Sequence, residues 1–148
     1  MSKIIVDKNL IAHDFATLYH GKMAQNQIDN AVATLLSAQT AYPISNGSII
    51  GGVFYVRYTC DITVNGKNYA GIGNGGGVFT LGGGALLGDV YTSDAMRLVT
   101  STVSFQINAT PVYVNVNFFD GNSNLLGNLQ AGAVSVVVGT GGGSASWS

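Results

Sequence analysis

Three sets of residues in this chain could carry chemistry. The first is the spacing G-x-G-x-x-G at Gly71, Gly73 and Gly76, inside the glycine-rich stretch from Gly71 to Gly88. Such glycines cradle a dinucleotide when they follow a strand and open a helix, whose N-terminus then faces the pyrophosphate. An acidic residue about twenty positions on would hold the ribose, and Asp94 lies near that distance. Gly76, however, is followed by Gly-Val-Phe-Thr-Leu-Gly-Gly-Gly, which cannot be a helix. The spacing therefore predicts strand glycines that let a small barrel coil sharply. No cofactor is expected.

The second set is the inventory for nucleophilic or acid–base catalysis. It holds His13, His20, the single Cys60, and the carboxylates Asp61, Asp89, Asp94 and Asp120. A Ser-His-Asp or Cys-His arrangement needs a histidine beside the nucleophile. Both histidines lie near the N-terminus, and none follows Ser48. A carboxylate pair suits glycoside chemistry, but each aspartate has a plainer reading. Asp120 opens the turn Asp-Gly-Asn-Ser-Asn, Asp94 reads as a helix cap, and Asp61 shares a strand face with Arg57. No catalytic residue and no metal ligand is expected. One cysteine makes neither an internal disulfide nor a thiolate zinc site.

The third set suits recognition of sugars. Tyr113, Asn115 and Asn117 alternate on one strand face, and planar amides beside an aromatic match hydroxyl groups. Their simpler reading is the solvent face of an antiparallel strand. Trp147, the only tryptophan, reads as closing a core near the end of the chain. Asn46-Gly47-Ser48 and Asn108-Ala109-Thr110 match the glycosylation pattern, the second weakened by Pro111.

The elements that must position these residues follow from composition and period. The chain has 148 residues with 9% charged, and all seven acids are aspartate. That suits one domain with a real core. A net charge of −1 gives no electrostatic reason to bind nucleic acid. Abundant Gly, Val, Thr, Asn and Ser favour an all-β domain. Residues 1–42 differ: Ile11, Phe15 and Leu18, then Ile28, Val32, Leu35 and Leu36, fall at helical spacing. The pattern predicts helices from about Asp7 to Tyr19 and about Gln25 to Thr40, stopped by Pro43. Residues 43–148 read as a β-barrel domain.

From Ser48 the period is two. Phe54, Val56, Tyr58, Cys60, Ile62 and Val64 share one face, and Asn65-Gly66 turns the hairpin. A strand is predicted near Ala85 to Tyr91, then a short helical turn capped by Ser93 or Asp94. Val103, Phe105 and Ile107, and then Val112, Val114, Val116 and Phe118, form the inward faces of two further strands. The segments Leu-Leu-Gly-Asn-Leu-Gln, Ala-Val-Ser-Val-Val-Val-Gly and Ser-Ala-Ser-Trp-Ser follow. About eight strands with short connections predict a closed barrel or sandwich, its centre filled by side chains.

The order of landmarks resembles the virulence-associated protein (Vap) family of Rhodococcus. The likeness lies in Leu-Gly-Asp-Val-Tyr-Thr-Ser-Asp (Leu87 to Asp94), the aromatic strand around Phe105, and Tyr-Val-Asn-Val-Asn-Phe-Phe-Asp (Tyr113 to Asp120). Leu-Leu-Gly-Asn-Leu-Gln-Ala-Gly-Ala and the glycine-rich ending on Trp147 continue it. The resemblance implies a compact eight-stranded antiparallel barrel of Greek-key type with a short helix. It also implies a secreted, non-enzymatic protein that alters the endolysosomal compartment of a host phagocyte, with no catalytic triad, metal or cofactor. The N-terminal stretch departs from that pattern, since its apolar run is too short for a secretory signal.

Two functions are expected on these grounds. The first is a secreted virulence-associated barrel acting on host membrane lipids or a host compartment. The alternative is a lectin-like barrel that binds carbohydrate or another small ligand. Only Arg57, Lys67 and Arg97 are basic from Ser48 onward. Each cation near anionic lipid contributes about 1 kcal/mol, so membrane association would have to be apolar. Ile4, Ile5, Ile11, Phe15 and Leu18 of the N-terminal segment are the sequence's best candidates for it. The competing expectation is that this segment packs on the barrel or joins two copies in a homo-oligomer.

Overall fold

The computed structural model describes residues 6–133 and 137–148. Two helices open it: α1 (Lys8–Tyr19) and α2 (Gln25–Leu36). Asp7 caps α1 by accepting the Asn9 amide at 2.9 Å. Gly21, at φ 76°, provides the left-handed turn between them. The strands are β1 (Thr40–Pro43), β2 (Ser45–Gly52), β3 (Tyr55–Val64), β4 (Lys67–Phe79) and β5 (Gly82–Thr92). Helix α3 (Ala95–Ser101) precedes β6 (Ser104–Ala109), β7 (Tyr113–Phe119), β8 (Leu125–Ala133) and β9 (Gly139–Trp147).

All pairings are antiparallel, in the order β1-β5-β2-β3-β4-β9-β6-β7-β8, and β5 also pairs β8. That last pairing closes the sheet on itself. Strands β1 and β2 lie on the same edge of β5, β1 against Asp89 to Thr92 and β2 against Gly82 to Ala85. They act as one interrupted strand, so the barrel has eight staves. Its centre is packed by Val56, Tyr58, Ile62, Phe105, Val116, Phe118 and Leu129 among others. Tyr58 meets Phe105 edge-on at 5.0 Å between ring centroids, and Phe118 meets Trp147 at 5.3 Å. Trp147 therefore packs on the core, as its size required.

Several boundaries differ from the sequence reading. Helix α2 stops at Leu36, and Thr40 already pairs with Thr92 in β1. The barrel thus begins inside the stretch read as helical. Pro43 ends β1 rather than a helix, at an edge where its missing N–H is tolerated. The inward series overran their strands: Phe54 and Val112 lie in turns and are exposed, as is Val103 just before β6. Ile4, Ile5 and part of Ala-Val-Ser-Val-Val-Val-Gly lie outside the described residues. Asp94 is the cap of α3, accepting the Arg97 amide at 3.1 Å.

The helical pair packs on the barrel. Ile11, Phe15, Ile28 and Leu35 form a small second core with Tyr113 and Phe119 of the outer wall. Ile11 and Phe15 of the stripe considered for the membrane are thus turned inward. Among the described residues no helix is long and apolar enough to cross a membrane.

Candidate functional site

The structure does not assemble the catalytic candidates. His13 and His20 are exposed on and just after α1, while Cys60 is buried in the barrel. Burial pushes the Cys60 thiol well up, with the nearby Asp61 charge adding to the effect, so it is no ready nucleophile. Asp61 accepts the Asn46 amide at 3.0 Å instead of pairing with Arg57. Asp120 accepts amides from Asn122 and Asn124, both at 2.9 Å, and bridges to Arg97 at 3.0 Å. Partial burial raises its carboxyl, but these hydrogen bonds outweigh that and hold it below the usual carboxylate value. Among the described residues no cluster of His, Cys or Asp could hold a metal.

Gly71, Gly73 and Gly76 all lie within β4, and a turn and β5 follow instead of a helix. No helix N-terminus faces them, so the dinucleotide geometry is missing. Their role is close approach. A Cβ on Gly73 would stand 2.0 Å from Cε2 of Tyr58, so this glycine makes room for a core ring. Gly75 lies opposite Gly143, and a Cβ on it would stand 2.2 Å from the Gly142 carbonyl oxygen.

The face of Tyr113, Asn115 and Asn117 is not solvent-exposed. It lies beneath the helical pair, with Asn117 only 2% and Asn128 0% exposed. Asn115 and Asn117 exchange hydrogen bonds at 3.2 and 3.0 Å. The Tyr113 hydroxyl donates to Asp14 of α1 at 2.5 Å and accepts from Asn108 at 3.1 Å. Burial, then Asp14, push the Tyr113 phenol upward. Period-two alternation alone could not reveal this covering, because it marks which residues share a face and not what lies over it.

The two ends of the barrel differ sharply. One end carries the β2–β3, β4–β5, β6–β7 and β8–β9 connections. Each described connection there exposes a large apolar side chain. Phe54 is 75% exposed, Leu81 71%, Val78 68% and Val112 67%, with Val53 and Val138 also exposed. Backbone bonds lace three of these loops together: Phe79 N–H to Val53 at 3.0 Å and Thr80 N–H to Val138 at 2.9 Å. The Val138 N–H in turn donates to the Thr80 hydroxyl at 2.9 Å. None of the four connecting sequences holds a charged residue. Tyr55 and Arg57 stand just behind the tip on β3. The opposite end carries the Asn65-Gly66 turn with Lys67, the Asp94-capped α3 with Arg97, and the Asp120 to Asn124 turn.

Sequence reasoning missed this apolar end. The signal was present in Gly-Val-Phe-Tyr, Thr-Leu-Gly and Thr-Pro-Val-Tyr. There, turn residues that normally keep polar company flank Phe54, Leu81 and Val112. Only the topology brings these separate stretches to one end.

Comparison with known proteins agrees with this architecture. The family model described as Rhodococcus equi virulence-associated protein matches residues 2–148. The solved structure of the virulence-associated protein VapD from the intracellular pathogen Rhodococcus equi is similar, at 32% identity and a TM-score of 0.71. The match covers 76% of this chain and 100% of that one. VapB from the same organism is 40% identical at a TM-score of 0.66, covering 75% of this chain and 98% of its own. A search of curated proteins returns no match. With a family match over nearly its whole length and the same closed eight-stranded barrel, the chain belongs to the Rhodococcus equi virulence-associated protein family.

Proposed function

We propose that this protein is a secreted, non-enzymatic virulence factor that acts at a host membrane of the endolysosomal compartment, entering it by the apolar end of its barrel. The observation that carries the reading is the set Val53, Phe54, Leu81 and Val112, exposed on loops without charge at one end of the barrel, with Val78 exposed near the end of β4. Large apolar side chains exposed at one end of a domain suit an interaction site. Separate loop tips suit a fluid hydrocarbon layer, since each can enter it independently. Tyr55 and Arg57, one and three residues behind Phe54, are placed for the interface, where an amphipathic ring and a cation are at home. Fully burying a Leu or Phe contributes about 1.5–3 kcal/mol. Phe54 and Leu81 together then favour the membrane by roughly a hundredfold or more. The exposed histidines and buried Cys60 support a role without catalysis.

The test is flotation with neutral phosphatidylcholine vesicles. The parent should float at low and at high salt, because apolar insertion is not screened. The variant Phe54→Asp/Leu81→Asp should stay at the bottom of the gradient. Binding that vanishes with salt, or survives this double substitution, would refute the reading. A second reading is carbohydrate binding in a lectin-like manner.

A further inference from the structure

Where the end of α1 meets the barrel, an open groove of about 250 Å³ lies between them. It is lined by Tyr19 and Lys22 from the helical segment, and by Gln106, Thr140, Gly141 and Gly142 from the barrel. Pockets for drug-sized ligands run to about 300–1,000 Å³, so this groove suits a smaller molecule. Tyr19 stands on Phe15 at 4.9 Å between ring centroids, and Phe15 belongs to the core that the helices share with Tyr113 and Phe119. That side of the groove is fixed, and no element has to move for a ligand to enter.

Gln106 is placed there by its strand. Phe105 and Ile107 face the core, so Gln106 faces outward, opposite Gly142 of β9 and Asn117 of β7. Its Oε1 atom is buried and has no hydrogen-bond partner among the described residues. A buried acceptor left without a donor is unfavourable, and native structures keep few of them. The neighbouring glycines have a reason of their own in the fold. A Cβ on Gly141 would stand 2.0 Å from the Gly76 carbonyl oxygen, and one on Gly142 would stand 2.5 Å from that of Phe105. Their consequence for the groove is bare backbone beside Gln106, which a ligand can approach closely. Lys22 is exposed in the turn after Gly21, and no acidic side chain lines the groove.

We infer that this groove binds a small hydroxy-carboxylate, its carboxylate at the Lys22 ammonium and its hydroxyl donating to Gln106 Oε1; the inference goes beyond membrane docking and does not rest on it. An orphaned acceptor calls for a donor, and an ammonium for an anion. A neutral sugar would leave Lys22 unused, and a plain carboxylate would leave Gln106 without a donor. A carboxylate with a hydroxyl one or two carbons away answers both. The Tyr19 ring offers an apolar face to the C–H groups of such a ligand. The same pair of groups occurs in a free hydroxy acid and in the uronate of a sugar chain.

The experiment follows the amide NMR signals of the full-length protein on titration with lactate and with glucuronate. Acetate, which lacks the hydroxyl, and glucose, which lacks the carboxylate, are titrated beside them. Saturable shifts of the Gly141 and Gly142 amides and of the Gln106 carboxamide are expected with a hydroxy acid. Acetate and glucose should bind about tenfold more weakly or not at all. Tighter binding of glucuronate assigns the site to an acidic sugar, and tighter binding of lactate to a free acid. Gln106→Leu should weaken binding about tenfold. It should leave the ligand-free protein at least as heat-stable as the parent, because an orphaned acceptor is gone. Lys22→Met should weaken binding severalfold and abolish its salt dependence. The absence of saturable shifts with both acids would overturn the inference, as would acetate binding as well as lactate. So would a Gln106→Leu protein that melts well below the parent, since its amide would then be bonded within the protein. Flotation is read separately, so failure here leaves the membrane reading standing.

Discussion

The two ends of this barrel are built from the same strands and present opposite surfaces. At the polar end the connections fold back on themselves. Asp120 gathers the amides of its own turn and the Arg97 guanidinium, and Asp94 caps α3. Both aspartates there accept hydrogen bonds from the protein's own backbone. At the apolar end backbone bonds join the described loops, and the side chains of Phe54, Leu81 and Val112 are mostly exposed. On the proposed reading, stability and outward function are separated along the barrel axis. Substitutions at one end should move one property and spare the other.

The largest expected effect removes that separation altogether. Gly73→Val places branched carbon where Tyr58 lies at 2.0 Å and Phe105 at 2.9 Å from a Cβ. Overpacking of this kind costs about 1–3 kcal/mol, and more where nothing can yield. Chemical denaturation should show a loss at or above the top of that range, and flotation should fail with it.

Next come the apolar tips. Phe54→Asp/Leu81→Asp should weaken vesicle binding by roughly a hundredfold, by the burial argument above. Thermal melting should stay within a few degrees of the parent, because both side chains are exposed in turns. A large drop in melting temperature would mean that this end is structural after all.

The polar end should give the mirror image. Asp94→Ala removes a helix cap and should destabilise by about 1 kcal/mol, with flotation unchanged. Asp120→Asn should act most visibly through pH. The folded Asp120 carboxyl is held below its ordinary value. Its contribution is therefore complete above the unfolded value near 4, and is lost as pH falls through the lower folded value. Below about pH 4 the parent should lose stability faster than Asp120→Asn, by a small margin since the turn is solvent-exposed. Identical acid profiles would show that the turn does not depend on the carboxylate charge.

Much of the fold could be read from the residues. The period-two faces of β3, β6 and β7 and the Asn65-Gly66 turn placed the hairpins. The break at Gly21 and the helical stripes of Ile11 to Leu18 and Ile28 to Leu36 placed α1 and α2. The landmarks from Leu87 to Trp147 pointed to the family. The candidate surfaces were less legible, for two physical reasons. Phe54 and Val112 continue the alternation of their strands, so periodicity assigned them inward, whereas the chain turns before reaching them. Asn115 and Asn117 look like a wet face because a strand's sequence cannot report a helix laid over it from a hundred residues away. Local pattern fixes which side chains stand together on one face, and topology decides what that face meets.

The most direct measurement of the central claim uses position along the axis. Trp147 is the only tryptophan and lies beside Gly71 at the polar end. Phe79 at the apolar end is eight residues along β4 from Gly71. At about 3.3 Å per residue on a tilted strand, the two are separated by roughly 20 Å along the barrel axis. The parent and the variant Phe54→Trp/Trp147→Phe are each mixed with vesicles carrying brominated acyl chains. Strong quenching and a blue shift are expected for the tryptophan at position 54, and neither for Trp147 in the parent. Quenching of Trp147, or an unquenched tryptophan at position 54 in a protein that floats, would contradict it.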